Sequence, residues 1–380
     1  MSDHSQPLIW TAAKGSTLYD QNQRPYVDLC AGFGSLPFGH NCLVLQQYLH
    51  DQLGNGMSDL YASQAKVQLL QTLRSCLPDQ LERIALAVTG SQAVEFALRT
   101  ALLATGKQGI ISLKNCYHGL DLGVLPLLSW QSYRQPFANW SAMPVTHLKI
   151  NCDLDELERA VFAQQQTGTA AIIVEPIQGR GGGGVCQDYW LSAVQDYCQR
   201  RGILLIYDEV FCGLGRCGYM TKAATVPADI VCLGKALGGG MPISAMVGKE
   251  KWLRYWQQDE HVLLTGTFYG HALSCAVATH TLTRINPTQS LALATTLQNE
   301  LASIASLDRV KEVRGAGLLV SIVLDVPQAG LRLASKLQEL GIIAVPAGEH
   351  AEVLQLSPAL NIETELLRKA LQIIAAVLDE

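Results

Sequence analysis

From residue 84 to residue 233 the chain alternates short apolar runs with amphipathic stretches, and this rhythm limits the available folds more than any other feature. The apolar runs are Ile84–Val88, Gly109–Leu113, Ala170–Val174, Ile203–Tyr207 and Ile230–Leu233. Helical periodicity opens at Ser91, covers 154–166, and runs from Asp188, read as a cap, to Arg201. Strand, helix, strand in this order predicts right-handed crossovers and a mainly parallel sheet covered on both faces, an α/β architecture. Ligands of such sheets bind at the carboxyl ends of the strands.

After about residue 286 the texture changes to a long helical stretch (Ser290–Leu307), a glycine-punctuated strand (Gly315–Asp325), a helix, two short strands and a closing helix from Glu363. This predicts a smaller α+β domain over 286–380, beside a large domain over 51–285. Residues 1–50 are turn-rich and are expected to pack with the small domain. A chain of 380 residues suits two or three domains. No internal repeat appears, and Gly181–Gly184 is the one low-complexity tract.

Composition removes several function classes. With 48% hydrophobic and 16% charged residues the chain is rich in core, and a net charge of -5 gives no basic footprint for nucleic acid or anionic lipid. The uncharged stretch His261–Thr283 contains three His and two Gly among its polar residues, too polar to span a bilayer. Met1–Trp10 lacks the basic and apolar regions of a leader. Eleven cysteines, with Cys212 and Cys217 unaccompanied by a second pair at metal spacing, suit a reducing cytoplasm and predict no metal site.

Chemistry concentrates at predicted strand ends. Ile203–Tyr207 ends in Asp208-Glu209, which alone would also describe the magnesium strand of a phosphate-loop ATPase. That class needs G-x-x-x-x-G-K-[ST], and neither the segment around Lys107 nor that around Lys235 supplies it. The glycines at 179–184 follow Pro176 and Gln178 with no helix behind them, so they are read as a flexible loop and not a dinucleotide site. Ile230–Leu233 runs into Gly234-Lys235, and a lysine held there and partly desolvated has the lowered pKa that makes an amine attack carbonyls. An isolated lysine is more often an ordinary solvated one; Asp208, 27 positions upstream on a neighbouring strand, changes the odds. Thr89-Gly90-Ser91-Gln92 opens a helix and offers free N–H groups and a hydroxyl to a phosphate, unless Ser91 only caps the helix. Tyr117-His118-Gly119 brings an aromatic ring to the same sheet edge, and Gly266-Thr267 a further hydroxyl.

Seven motifs in order then resemble the class III (subgroup II, ornithine and omega-amino acid type) aminotransferases. They are Gly90-Ser91, Tyr117-His118-Gly119, Val174–Gly179, Tyr207–Val210, Gly213–Gly218, Gly234–Gly240 and Gly266–Gly270, and the likeness covers about residues 15 to 375. It implies pyridoxal 5'-phosphate as cofactor, fold type I and a homodimer. It further implies that Lys235 forms the internal aldimine, Asp208 pairs with the pyridine nitrogen, and Tyr117 and Val210 flank the ring. Gly90 and Ser91 would hold the phosphate, His118 would join the cofactor site, and Thr267 would reach the phosphate of the partner subunit. Four positions depart from the family pattern: Gln92 stands where Glu is frequent, Phe211 where Gln often bonds the phenolic oxygen, and Arg180 and Gln355 where glutamate-using branches carry Glu and Arg.

The resulting expectation is a transaminase acting on an amine donor and a keto or aldehyde acceptor. An epimerase or aminomutase shares Lys235 and Asp208 and differs in where the proton returns. A non-catalytic binding protein on a decayed scaffold would not retain both residues. Arg180, Gln355 and Phe33 are the candidates for substrate contact; Arg180 is expected either to bind a carboxylate or to point from its loop into water.

Overall fold

The computed structural model describes residues 8–57, 61–140, 143–257 and 263–380. Residues 1–7, read above for a leader, and 261–262, the start of the uncharged stretch, lie outside them. Three antiparallel strands come first, β1 (Trp10–Lys14), β2 (Thr17–Asp20) and β3 (Pro25–Asp28). The central sheet follows with β4 (Arg83–Ala87), β5 (Gly109–Leu113), β6 (Val145–Leu148), β7 (Thr169–Val174), β8 (Leu204–Asp208), β9 (Ile230–Leu233) and β10 (Ser244–Gly248). Its spatial order is β4-β10-β9-β8-β7-β5-β6. Only β10 runs against its neighbours, so the carboxyl ends of β4, β5, β7, β8 and β9 share one edge.

Residues on β5 and β7 through β10 are buried throughout, which is why these strands read as continuous apolar runs without alternation. The helix Gly90–Thr105 covers one face, burying Ala93, Val94, Phe96, Ala97, Leu98 and Ala101. It stops at Gly106, whose left-handed φ of 67° lets its N–H reach the Leu102 carbonyl at 2.9 Å. The helix Asp188–Arg201 covers the other face with Trp190, Leu191, Val194 and Tyr197, and likewise ends on a left-handed glycine, Gly202.

Beyond residue 286 the chain forms β11 (Val310–Ala316), β12 (Leu319–Leu324), β13 (Ile342–Ile343), β14 (Val345–Ala347) and β15 (Val353–Leu356). An antiparallel sheet of order β11-β12-β15-β14 is backed by the helix Ala329–Glu339, against which the closing helix Thr364–Asp379 packs. β13 instead pairs in parallel with β3, tying the N-terminal sheet to this region.

Several local expectations need correction. The expected strand Gly315–Asp325 is the second half of a hairpin: Gly315 and Gly317 have φ of 127° and 57°, and the chain reverses there. The expected helix Ser290–Leu307 is two helices, Pro287–Thr296 and Gln298–Ala305, meeting at the non-helical Leu297. Asp188 is not a cap; it is the first helical residue, after Gln187, and its carboxylate pairs with Lys222.

Candidate active site

Each strand that ends on the shared edge delivers one functional segment. After β4, Thr89 caps the helix that follows: its Oγ1 accepts from Gln92 N at 3.2 Å while Gln92 Oε1 accepts from Val88 N at 3.0 Å and Thr89 N at 3.3 Å. Thus Thr89, not Ser91, is the cap, and Gln92 does through its amide oxygen what a glutamate would do there. Ser91 is thereby left free: its Oγ is buried and has no partner among the described residues. Gly119 makes room for it, since a Cβ at that glycine would lie 2.3 Å from Ser91 Oγ.

After β5, the turn carrying Tyr117 and His118 swings under the site. His118 is 2% exposed and its Nδ1 lies 2.7 Å from Asp208 Oδ2, at the end of β8. Burial works against a charge on this imidazole, but the bond to Asp208, with Cys116 beside it, outweighs burial and raises its pKa well above the ordinary value. Asp208, 4% exposed, therefore has a cationic partner, and its Oδ1 accepts from Val210 N at 3.1 Å.

After β7, Glu175 supplies a buried carboxyl that the motif contained but whose role sequence reasoning missed. It accepts from Tyr117 N at 2.8 Å and from Gly179 N at 3.1 Å, joining two loops. Burial pushes it up to about 7, against the lowering effect of His118 and with Asp208 raising it further. No local pattern in the sequence marks this bridge, because its partners lie on different strands' loops.

After β9, Lys235 follows the strand with a left-handed φ of 42°, a conformation costly for a side-chain-bearing residue and typical of functional sites. Its Nζ lies 4.3 Å from the centre of the Phe211 ring. Burial lowers its pKa, although Asp208 and Glu175 pull the other way, and Arg180 adds to the lowering. Phe211 is held by two glycines, for a Cβ at Gly34 or at Gly179 would come within 2.6 or 2.4 Å of the ring.

These segments enclose a cavity of about 370 Å³, lined by Gly90, Ser91, Tyr117, His118, Asp208, Val210, Phe211 and Lys235 among others. The lining fits pyridoxal phosphate: a free hydroxyl at a helix N-terminus for the anion, an aromatic ring, a carboxyl partnered by histidine, and an amine of lowered pKa. Thr267 is exposed and does not line this chain's cavity. No cluster of metal-ligating side chains occurs among the described residues.

At the rim, Arg180 does not point freely into water. Its guanidinium stands 5.4 Å from the Tyr117 ring centre and 5.8 Å from that of Phe33. The glycine loop behind it is packed and not loose: Gly181, Gly182 and Gly183 are buried, and a Cβ at Gly181 would lie 1.8 Å from the Asn115 carbonyl oxygen. The glycines serve close backbone approach instead of mobility. Gln355 is 1% exposed and its amide donates to the Gly179 carbonyl, so it braces the loop from behind. Phe33 is 44% exposed at the opening.

Comparison with known proteins agrees with the geometry. The family described as aminotransferase class-III matches residues 1–378. A diaminobutyrate–2-oxoglutarate transaminase of Nocardia farcinica is 33% identical, over 98% of this chain and 90% of its own. A mitochondrial acetylornithine aminotransferase of Eremothecium gossypii is 32% identical, over 98% and 91%. Among solved structures, ornithine aminotransferase from Toxoplasma gondii superposes with a TM-score of 0.87 at 26% identity, covering 100% of this chain and 92% of that one. A second structure of that enzyme, with pyridoxal phosphate partially occupying its active site, gives 0.85 at 26%, over 99% and 91%. These likenesses favour amino-group transfer over the isomerase alternative. The chain belongs to the class-III aminotransferases, pyridoxal-phosphate enzymes of fold type I.

Proposed function

We propose that the protein is a cytoplasmic, homodimeric transaminase that moves an amino group from an amine or amino acid donor to a keto or aldehyde acceptor, with Lys235 and Asp208 as its catalytic residues. The observation that carries this assignment is the convergence of the Lys235 amine, the Asp208–His118 pair and the free Ser91 hydroxyl on one cavity. Bound pyridoxal phosphate supplies a reactive carbonyl carbon and an electron-withdrawing ring. Lys235, its pKa lowered by burial, would offer a neutral amine to that carbonyl, and its Nζ would be the group that holds and moves the proton at the substrate carbon. Asp208 would pair with the ring nitrogen and keep it protonated, with His118 holding the carboxyl in place. Gly90 and Ser91 would hold the phosphate, and Tyr117 and Val210, which line the same cavity, would flank the ring.

The partition into 51–285 and 286–380, with residues 1–50 joining the latter, is part of the same proposal; the β3–β13 pairing supports it. So is a homodimer in which Thr267, exposed here, completes the partner's phosphate site. The relatives are named for diaminobutyrate, acetylornithine and semialdehyde substrates. These names support an amine donor that also bears a carboxylate.

The deciding experiment presents the cofactor-loaded protein with a panel of amines and follows conversion of the cofactor to its amino form, then its return on adding keto acids. Conversion and return establish transfer. Racemisation or internal migration of the amino group without exchange into a second keto acid would reinstate the isomerase.

A further inference from the structure

Arg180 stands over the Tyr117 and Phe33 rings and has no anionic partner among the described residues. Among the described residues its guanidinium makes no ion pair and no hydrogen bond, and its Nε is buried and unsatisfied. A guanidinium left in this state is costly unless an anion arrives. Its charge acts on the same space as the Lys235 amine, whose pKa it helps to lower. The nearby carboxyls do not answer it: Asp208 is engaged by His118 and Val210 N, and Glu175 accepts from two backbone N–H groups.

The side chain is also fixed in place. It lies beside the Tyr117 and Phe33 rings, and the backbone is pinned on both sides of the residue: Gly179 N donates to Glu175 and its carbonyl accepts from Gln355, while the Arg180 carbonyl accepts from Gly348 N at 2.8 Å.

We propose that Arg180 is the specificity-determining residue that binds the substrate's carboxylate, and that Gln355 is a positioning residue which holds the Arg180 loop from behind. The planar fork suits a bidentate contact with a carboxylate. Because no acidic side chain among the described residues masks it, the cation stands ready for the donor and for the acceptor alike. Both partners of the reaction are therefore carboxylates. This inference rests on the transaminase reading.

The test compares matched pairs of amines that differ only in the carboxylate, 5-aminopentanoate against pentylamine and ornithine against putrescine, using the cofactor-loaded enzyme. Arg180→Ala is expected to lower kcat/KM for the carboxylated member by roughly tenfold to a hundredfold more than for the uncarboxylated member. Arg180→Lys, which keeps the charge and loses the fork, falls between. Gln355→Leu raises KM for the carboxylated member more than it changes kcat. Equal losses on both members, or none on either, with the native enzyme active, overturn the role of Arg180 alone. A native enzyme that converts no amine in the panel removes the transaminase reading and this inference with it.

Discussion

His118 Nδ1 and Asp208 Oδ2 meet at 2.7 Å although 90 positions separate them in the chain. One residue sits on the turn after β5 and the other at the end of β8, with β7 between them in the sheet. A carboxyl buried at the end of an apolar strand is unfavourable alone, and the imidazole supplies both a hydrogen bond and a positive charge. The pair is therefore one unit, and damage to either member reaches the other.

Asp208→Asn weakens retention of pyridoxal phosphate and slows the half-reaction with donor even when cofactor is saturating, because a neutral amide cannot hold the ring nitrogen protonated. Unchanged single-turnover rates at saturating cofactor would assign Asp208 another task. His118→Leu leaves the carboxyl buried without its cation and lowers stability by about 3–5 kcal/mol, measured by denaturant titration.

Lys235→Ala retains the fold and loses transamination by several orders of magnitude, since nucleophile and proton carrier disappear together. Circular dichroism checks the fold; single-turnover spectroscopy checks the loss. Borohydride, which traps a Schiff base, is expected to fix cofactor on the native chain and not on the variant. Near-native turnover in the variant excludes the assignment.

The amine of Lys235 must lose its proton before attacking, so covalent capture of cofactor by the apoenzyme rises with pH through a value below that of an ordinary lysine. Glu175 and Asp208 both raise that value. Glu175→Gln therefore shifts the capture profile to lower pH, readable by borohydride trapping across a pH series. A shift to higher pH would contradict the charge arrangement.

Glu209, 1% exposed, is pushed up to about 7 by burial, against hydrogen bonds from Thr221 and the Lys222 backbone. The folded protein then holds a proton that the unfolded chain releases near the ordinary value of 4.5, so this residue's contribution to stability falls as pH rises from about 4.5 to about 7 and levels off above. Glu209→Gln is expected to flatten that part of the stability–pH curve in denaturant titrations between pH 5 and pH 8. A curve of unchanged slope would refute it.

Gly179→Ala places a Cβ 2.4 Å from Phe211 and destabilises the protein by about 1–3 kcal/mol through overpacking. Phe211→Leu in the same chain relieves the contact and recovers part of the loss. If the double variant is no more stable than Gly179→Ala, the clash is not the cause.

What the sequence made legible were the residues that terminate apolar runs. Asp208 and Lys235 stand at ends of strands whose hydrophobicity is continuous, and the sheet brings such ends to one edge. Contacts between loops were not legible. Glu175 bridges Tyr117 and Gly179, and Gln355 reaches back 176 positions to Gly179, through pairings that no local periodicity encodes. Glycines misled twice for the same reason. Gly315 and Gly317 turn a hairpin, and Gly181–Gly183 admit close backbone approach, yet in sequence both look like interruptions or slack.

The reversed strand β10 sets a length scale. It lies between β4 and β9, so the helix start at Gly90-Ser91 and the Lys235 segment leave the sheet two strand spacings apart, about 10 Å. Ser244 at the start of β10 donates to the Thr89 carbonyl at 2.6 Å and fastens this spacer to the helix entrance. Backbone hydrogen bonding thus acts as a ruler between the anion-holding end of the cavity and its amine. Variation in the surrounding loops can change which substrate enters, but the span that a bound cofactor must match is fixed by the ladder itself.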